Sequence, residues 1–265
     1  MSTVSEVLQN SRKIVIKIGS NVISDDSGNV HKETLHNIVE QAHALIKDRR
    51  QVVIVSSGAG ICGVGAINKW QRRGDMNYKQ ALCAIGQVEL MMAYRDFFAD
   101  YDMHVAQILL TAEDFSSDER LLHIRNTLFT LVDEGVVPII NENDTVSVDE
   151  IMIGDNDNLG ALTANLWNAD ALVLLSDIDG IFDKDPKTHA DAALIETVSD
   201  IGQLRQGIDI SGKSDFGTGG IETKLQAAQR AGDMLIPTLL LNGKKPDILL
   251  DALEGKSRGT AFIWK

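Results

Sequence analysis

Lys13-Ile14-Val15-Ile16-Lys17-Ile18-Gly19-Ser20-Asn21 is the stretch that decides the fold. It is nearly continuous in apolar residues, as a strand covered on both faces is, and it ends in a lysine followed by a glycine turn. Runs of the same kind recur at Val52–Val55, His104–Leu110, Val136–Ile140, Ala171–Leu175 and Leu235–Leu241. Between them, apolar residues return every three to four positions over Glu33–Lys47, Gln80–Ala99, Leu121–Val132, Leu159–Asn168 and Thr223–Ala231, which predicts helices. Strand and helix alternating across short loops give an α/β fold: a parallel sheet between two helical layers. Asp144–Ile153 and Gly180–Ala190 break the pattern and read as hairpins projecting from the sheet, where binding specificity tends to be placed.

A chain of 265 residues with this pattern is long enough for a substantial core yet still within the range of one continuous domain, 1–265. The net charge of −13 and pI near 4.8 argue against a partner with a nucleic-acid backbone, which requires a concentrated basic surface. A phosphate site is still open to it, because a few lysines and backbone N–H groups in a cleft act locally. Cys62 and Cys83 form no CxxC pair and lie at no metal-ligand spacing from a histidine, so both are expected to be reduced and structural. The polar start Met1–Asn10 and the lack of any run of membrane-spanning length predict a cytoplasmic protein without a membrane partner.

Chemistry-bearing residues gather at the ends of the expected strands, where open α/β sheets bind ligands. Lys17 and Gly19 can bring a point charge and a close backbone approach to a phosphoryl group, or Lys17 can be a solvated strand end. Ser56-Ser57-Gly58-Ala59-Gly60 opens a helix whose N–H groups suit an anion, or caps it. Asn141-Glu142-Asn143-Asp144 and Gly154-Asp155-Asn156-Asp157-Asn158-Leu159 are dense in amides and carboxylates, able to capture an amino group, order lysines or form Asx turns. An EF-hand is disfavoured, since the bidentate glutamate is absent at its spacing. Ser176-Asp177 closes another strand, with a polar turn suited to a ribose or base contact or to capping a loop. Phe216-Gly217-Thr218-Gly219-Gly220-Ile221-Glu222-Thr223-Lys224 is neither a Walker A sequence nor GxGxxG, yet its glycines can wrap a phosphate that Lys224 reaches from the first helical turn.

Taken in order, Lys17-Ile18-Gly19-Ser20, Ser56-Ser57-Gly58-Ala59, Asn141-Glu142-Asn143-Asp144, Gly154–Leu159 and Gly217–Lys224 resemble the amino acid kinase family, and Ala84-Ile85-Gly86-Gln87 and Arg125-Asn126-Thr127-Leu128 extend the match. The likeness is strongest to the branch whose acceptor is glutamate. It implies a three-layer αβα sandwich with an open, mostly parallel sheet of about eight strands. The amino acid would bind in the N-terminal half and ATP in the C-terminal half, and the γ-carboxylate of L-glutamate would be phosphorylated to L-glutamyl 5-phosphate, the first step of proline synthesis. Lys17 and Lys224 would neutralise the transferring phosphoryl group, and Asp157 would hold both lysines. Ser57, Asp144 and Asn156 would bind glutamate. Lys17, Gly19, Ser176, Asp177, Thr218, Gly219, Gly220, Ile221, Glu222, Thr223 and Lys224 would border the nucleotide. Mg²⁺ would arrive on the phosphates of ATP rather than in a cage of protein ligands. Proline is the expected feedback inhibitor.

A homo-oligomer is also expected; helix Gln80–Ala99 could serve as core or as subunit contact, and core is the reading taken. The chain departs from the family in reading Gly19-Ser20-Asn21 for Gly-Thr-Ser and Gly58-Ala59-Gly60-Ile61-Cys62-Gly63 for Gly-Ala-Ile-Ala-Ala-Gly, and a form without the C-terminal PUA domain of many members is expected. Rival acceptors within the family are acetylglutamate, aspartate, carbamate and UMP. The paired amide and carboxylate clusters favour a free amino group. A non-catalytic sensor on the same fold would lack one of the lysines, and both are present.

Overall fold

Strand β1 (Lys13–Ile18) lies in the interior of the sheet, in parallel register with β2 (Gln51–Ser56) on one side and β5 (Ala171–Ser176) on the other. The computed structural model describes residues 3–24, 30–67, 75–146, 156–186, 188–207 and 220–264. With β3 (Val105–Leu110), β4 (Val137–Glu142), β8 (Thr197–Val198), β9 (Thr238–Asn242) and β10 (Thr260–Phe262), these strands form an eight-stranded sheet in the order β3-β4-β2-β1-β5-β9-β10-β8. All neighbours are parallel except β9 and β10. The α/β fold with a mostly parallel sheet is therefore as the sequence predicts. A separate pair, β6 (Ile181–Phe182) against β7 (Leu194–Ile195), is the hairpin expected near Gly180–Ala190, its return strand lying beyond Ala190. Most of the other expected hairpin, Asp144–Ile153, lies outside the described residues.

Strand alternation sorts the core into two layers. Ile14, Ile16 and Ile18 face the layer built by α1 (Thr3–Asn10), α2 (Lys32–Lys47), α3 (Ala59–Ile67), α4 (Met76–Ala99) and α9 (Ile248–Leu253). Val15 faces the layer of α5 (Asp118–Asp133), α6 (Asn156–Trp167), α7 (Ile201–Gly207) and α8 (Ile221–Gly232). Lys17 shares the parity of Val15, and its sheet neighbours Val55 and Leu174 belong to that second layer. The period-2 geometry of one strand thus aims Lys17 at α6 and α8. Gly160 of α6 completes the fit: a Cβ there would stand 3.3 Å from the Cβ of Lys17, so the glycine lets the helix lie on the lysine stem.

Boundaries moved where capping chemistry overrides periodicity. α4 begins at Met76 rather than Gln80 because the Asp75 carboxylate accepts the Tyr78 N–H. α6 stops at Trp167, since Asn168 is left-handed with φ 51°. β9 starts at Thr238 rather than Leu235, because Leu235, φ 58°, closes the turn after α8 by donating its N–H to the Gly232 carbonyl. α1 has no counterpart in the sequence reading; Val4 and Leu8, one helical turn apart, are its buried contacts. Among the described residues no helix is long and apolar enough to cross a membrane.

Glycines join α3 to α4. A Cβ on Gly86 would lie 1.8 Å from the Ala59 carbonyl oxygen, and one on Gly63 would lie 1.9 Å from that of Leu82. Both clashes are with backbone, so side-chain repacking cannot relieve them. Gly86→Ala is expected to destabilise the fold by about 1–3 kcal/mol, read from urea unfolding. Unchanged stability would mean that the helices can separate freely.

Candidate active site

The C-terminal ends of β1, β2, β4, β5 and β9 share one edge, and the polar residues singled out in the sequence converge on it. Its centre is Asp157, in the first turn of α6 and 1% exposed. Its Oδ1 takes Lys17 Nζ from β1 at 2.6 Å and its Oδ2 takes Lys224 Nζ from α8 at 3.1 Å. Thr223 Oγ1 also donates to Oδ2, at 3.1 Å. Burial alone would raise the Asp157 pKa, but the adjacent charges of Lys17 and Lys224 outweigh it and hold the carboxyl well below the usual range. The sign of the shift makes its stabilising effect present above the unfolded carboxylate pKa and lost only as the solution becomes strongly acid. Two cations held by one anion leave a local surplus of positive charge in a protein that is acidic overall, with both lysines no more than 6% exposed.

A second cluster lies on the β2 and β4 side. Gly58, with φ +108° and Ile23 Cδ1 2.5 Å from where a Cβ would stand, makes the turn from β2 into α3. The Ser57 N–H donates to the Ile18 carbonyl at 3.0 Å, which sets the start of α3 beside the end of the Lys17 strand. Asn156 Nδ2 donates both to Ser57 Oγ and to Asn141 Oδ1, each at 2.9 Å. Asn156 Oδ1 is buried and has no partner among the described residues. Asp144 stands nearby, hydrogen-bonded to the Cys83 thiol; burial, and then the charge of Glu142, push its pKa up to about 6. Burial, followed by the charge of Asp144, pushes Cys83 up to about 12, so its thiol stays protonated.

On the β5 side, Ser176 Oγ donates to Asp177 Oδ1 at 3.2 Å, and Asn21 Nδ2, from the turn after β1, reaches Asp177 Oδ2 at 3.1 Å. Gly19 donates its N–H to the Leu175 carbonyl at 3.0 Å, and a Cβ on it would approach Lys17 Nζ to 3.7 Å. Gly220 is the extended N-cap of α8 and makes no side-chain cap, and a helix start of this kind suits an anion. Ile221 packs into the core, and Glu222 pairs with Arg205 at 2.6 Å. Thr218 and Gly219 lie outside the described residues.

Lys17, Asp157, Thr223 and Lys224 are thus brought into direct contact, as are Ser57 and Asn156. The sequence reading missed the partners that arrive from α4. Their signal was the Ala84-Ile85-Gly86-Gln87 stretch, which supported the family likeness but carried no assigned chemistry.

A model described as "Amino acid kinase family" matches residues 12–242. "Glutamate 5-kinase" of Alkaliphilus metalliredigens is 59% identical over 259 residues, covering 98% of this chain and 98% of its own. "Glutamate 5-kinase" of Alkaliphilus oremlandii is 53% identical over 258 residues, covering 97% and 98%. Among solved structures, the UMP kinase of Bacillus anthracis matches with a TM-score of 0.66 over 96% of each chain at 18% identity, a likeness of fold alone.

Proposed function

The chain belongs to the amino acid kinase family, and from that premise we infer that it transfers the γ-phosphoryl group of ATP to the γ-carboxylate of L-glutamate. The products are ADP and L-glutamyl 5-phosphate, an activated acid that opens proline biosynthesis. The observation that carries the reading is the Lys17–Asp157–Lys224 bridge between a strand end and two helix starts, joined on one side to a cluster suited to a free amino acid.

Phosphoryl transfer depends on positioning and on charge stabilisation more than on covalent chemistry. The acceptor carboxylate is already ionised at neutral pH, so no base is needed to activate it. In our reading it lies at the start of α3 beside Lys17, where helix N–H groups and the Ser57 hydroxyl hold it. Ser57 Oγ accepts from Asn156, which leaves its own proton free to donate to a carboxylate. The α-ammonium faces Asp144 and the Asn156 oxygen. The phosphates of ATP lie at the start of α8, with Lys17 and Lys224 on the transferring group and Ser176 and Asp177 bordering the rest. As the γ-phosphoryl passes to the carboxylate, negative charge shifts onto the bridging oxygen of ADP, and the two ammonium groups neutralise the oxygens in flight. Asp157 keeps them at that position and is not consumed.

Mg²⁺ would be held through the phosphates of ATP, because the carboxylate nearest the transfer position is occupied by both lysines. It would add a further positive charge on the phosphates. The amino acid thus occupies the N-terminal half and the nucleotide the C-terminal half of one domain. Proline, which shares a carboxylate and an amine with glutamate, is read as a competitor for the Ser57–Asp144–Asn156 site. A cytoplasmic location belongs to the same reading.

An ADP-release assay across glutamate, acetylglutamate, aspartate, carbamate and UMP, with and without proline, tests the assignment. Turnover of acetylglutamate but not glutamate would overturn it. Asp144 supplies a pH test as well. Its raised pKa means that native stability falls as pH climbs from the ordinary carboxylate range to about 6, whereas an ammonium ligand requires the ionised form. The kcat/KM for glutamate is expected to drop below about pH 6. In Asp144→Asn it should be about tenfold or more lower at neutral pH and should lose that acid limb. An unchanged limb would remove Asp144 from the site.

A further inference from the structure

Residues 83, 87 and 94 recur at helical spacing on α4, and each holds a different part of the pocket. Cys83 hydrogen-bonds Asp144. Tyr94, fully buried, donates to Ser56 Oγ at 2.7 Å, which in turn donates to the Ser57 carbonyl at 3.0 Å. Gln87, 9% exposed, accepts at Oε1 from Asn141 Nδ2 at 2.8 Å.

The last contact has a direction that can be worked out from the backbone. A primary amide can turn end for end, so its orientation must follow from a neighbour that has no such freedom. The Glu142 backbone N–H is such a neighbour, and it donates to Asn141 at 2.9 Å. The accepting atom must therefore be Oδ1, and the other end of Asn141 must be its NH₂. That NH₂ requires an acceptor, which is Gln87 Oε1. Asn141 Oδ1 also receives Asn156, so the contacting atom of Asn156 is its nitrogen, whose other proton goes to Ser57. The Asn156 oxygen is thereby left as the buried acceptor without a partner among the described residues. A bare buried acceptor suits an ammonium group and offers an acylated amine much less.

We propose that Gln87 is a positioning residue for amino acid recognition: through Asn141 it locks the Asn156 amide with its oxygen toward the substrate, and so selects a free α-ammonium. The proposal rests on the reading of Asn156 as a substrate ligand. Without an acceptor at position 87, the Asn141 NH₂ is buried without its partner while Oδ1 stays on the Glu142 N–H, so the side chain tilts toward another acceptor and its hold on the Asn156 amide loosens.

Steady-state kinetics of Gln87→Met, Asn156→Ala and the double variant test this. Gln87→Met is expected to raise KM for glutamate about tenfold or more, with kcat and KM for ATP changed by less than about twofold. In the Asn156→Ala background the same substitution should add less than about twofold, because the group it acts through is gone. Equal rises in both KM values, or fully additive effects, would overturn the proposal. Should the methionine variant fail to fold, Gln87→Glu keeps an acceptor for Asn141 and should raise KM for glutamate by less than Asn156→Ala does; an equal or larger rise would overturn it too. Failure of the substrate reading would appear separately, as absence of glutamate turnover in the unsubstituted protein.

Discussion

Lys224→Met is expected to turn over glutamate about 10²–10³-fold more slowly than the unsubstituted enzyme, with a much smaller change in KM for ATP. The methionine keeps the length and the apolar stem of the lysine, so the packing of α8 survives. On the proposed reading, what disappears is one positive charge at the oxygens that gain negative character during transfer. Lys17→Met should act alike, from the strand side of the same carboxylate. Arginine is not expected to rescue either position, because a planar fork is larger than an ammonium and both lysines are at least nine-tenths buried. Wild-type turnover in either methionine variant would refute the charge-stabilising role.

Asp157→Asn should act first on the fold. Asp157 pairs with both Lys17 and Lys224, and all three are nearly inaccessible to water. Leaving two like charges buried without their anion is expected to cost on the order of 3–5 kcal/mol. For a chain of this size that lowers Tm by roughly 10 °C. The deficit should shrink when ATP is added, since its phosphates bring negative charge to the same lysines. ATP should therefore raise the Tm of Asp157→Asn more than that of the unsubstituted protein. Equal shifts would show that the nucleotide phosphates bind elsewhere. The two substitutions separate the two roles proposed: one removes a charge read as acting during transfer, the other the group read as keeping such charges in place beforehand.

Much of this was legible along the chain because it is local. The apolar run around Val15 and Ile16 fixes a buried strand, and the glycine after Ile18 fixes where it ends. Lys17, Asp157 and Lys224 could be placed at strand and helix ends by spacing alone. Leu235 was misread because its apolar neighbours continue a strand pattern, while its left-handed backbone is imposed by the turn that closes α8. α1 was missed because Val4 and Leu8 are the only apolar residues among its buried ones, too few to rise above a polar terminus. The amide relay was invisible for a different reason. Gln87 and Asn141 are 54 positions apart, and the polarity of their contact is decided by one backbone N–H on β4. No pattern of residue types records which end of an amide faces a pocket; that follows only from the sheet and helix that carry it.

The central claim is that phosphate is transferred to the γ-carboxylate of free glutamate. Hydroxylamine trapping tests it most directly, because an acyl phosphate reacts with hydroxylamine to give a stable hydroxamate whose position can be read by mass spectrometry. With ATP, Mg²⁺ and L-glutamate, the account predicts the γ-hydroxamate in step with ADP release. ADP release without a hydroxamate, a hydroxamate at the α-carboxylate, or formation from acetylglutamate alone would contradict it.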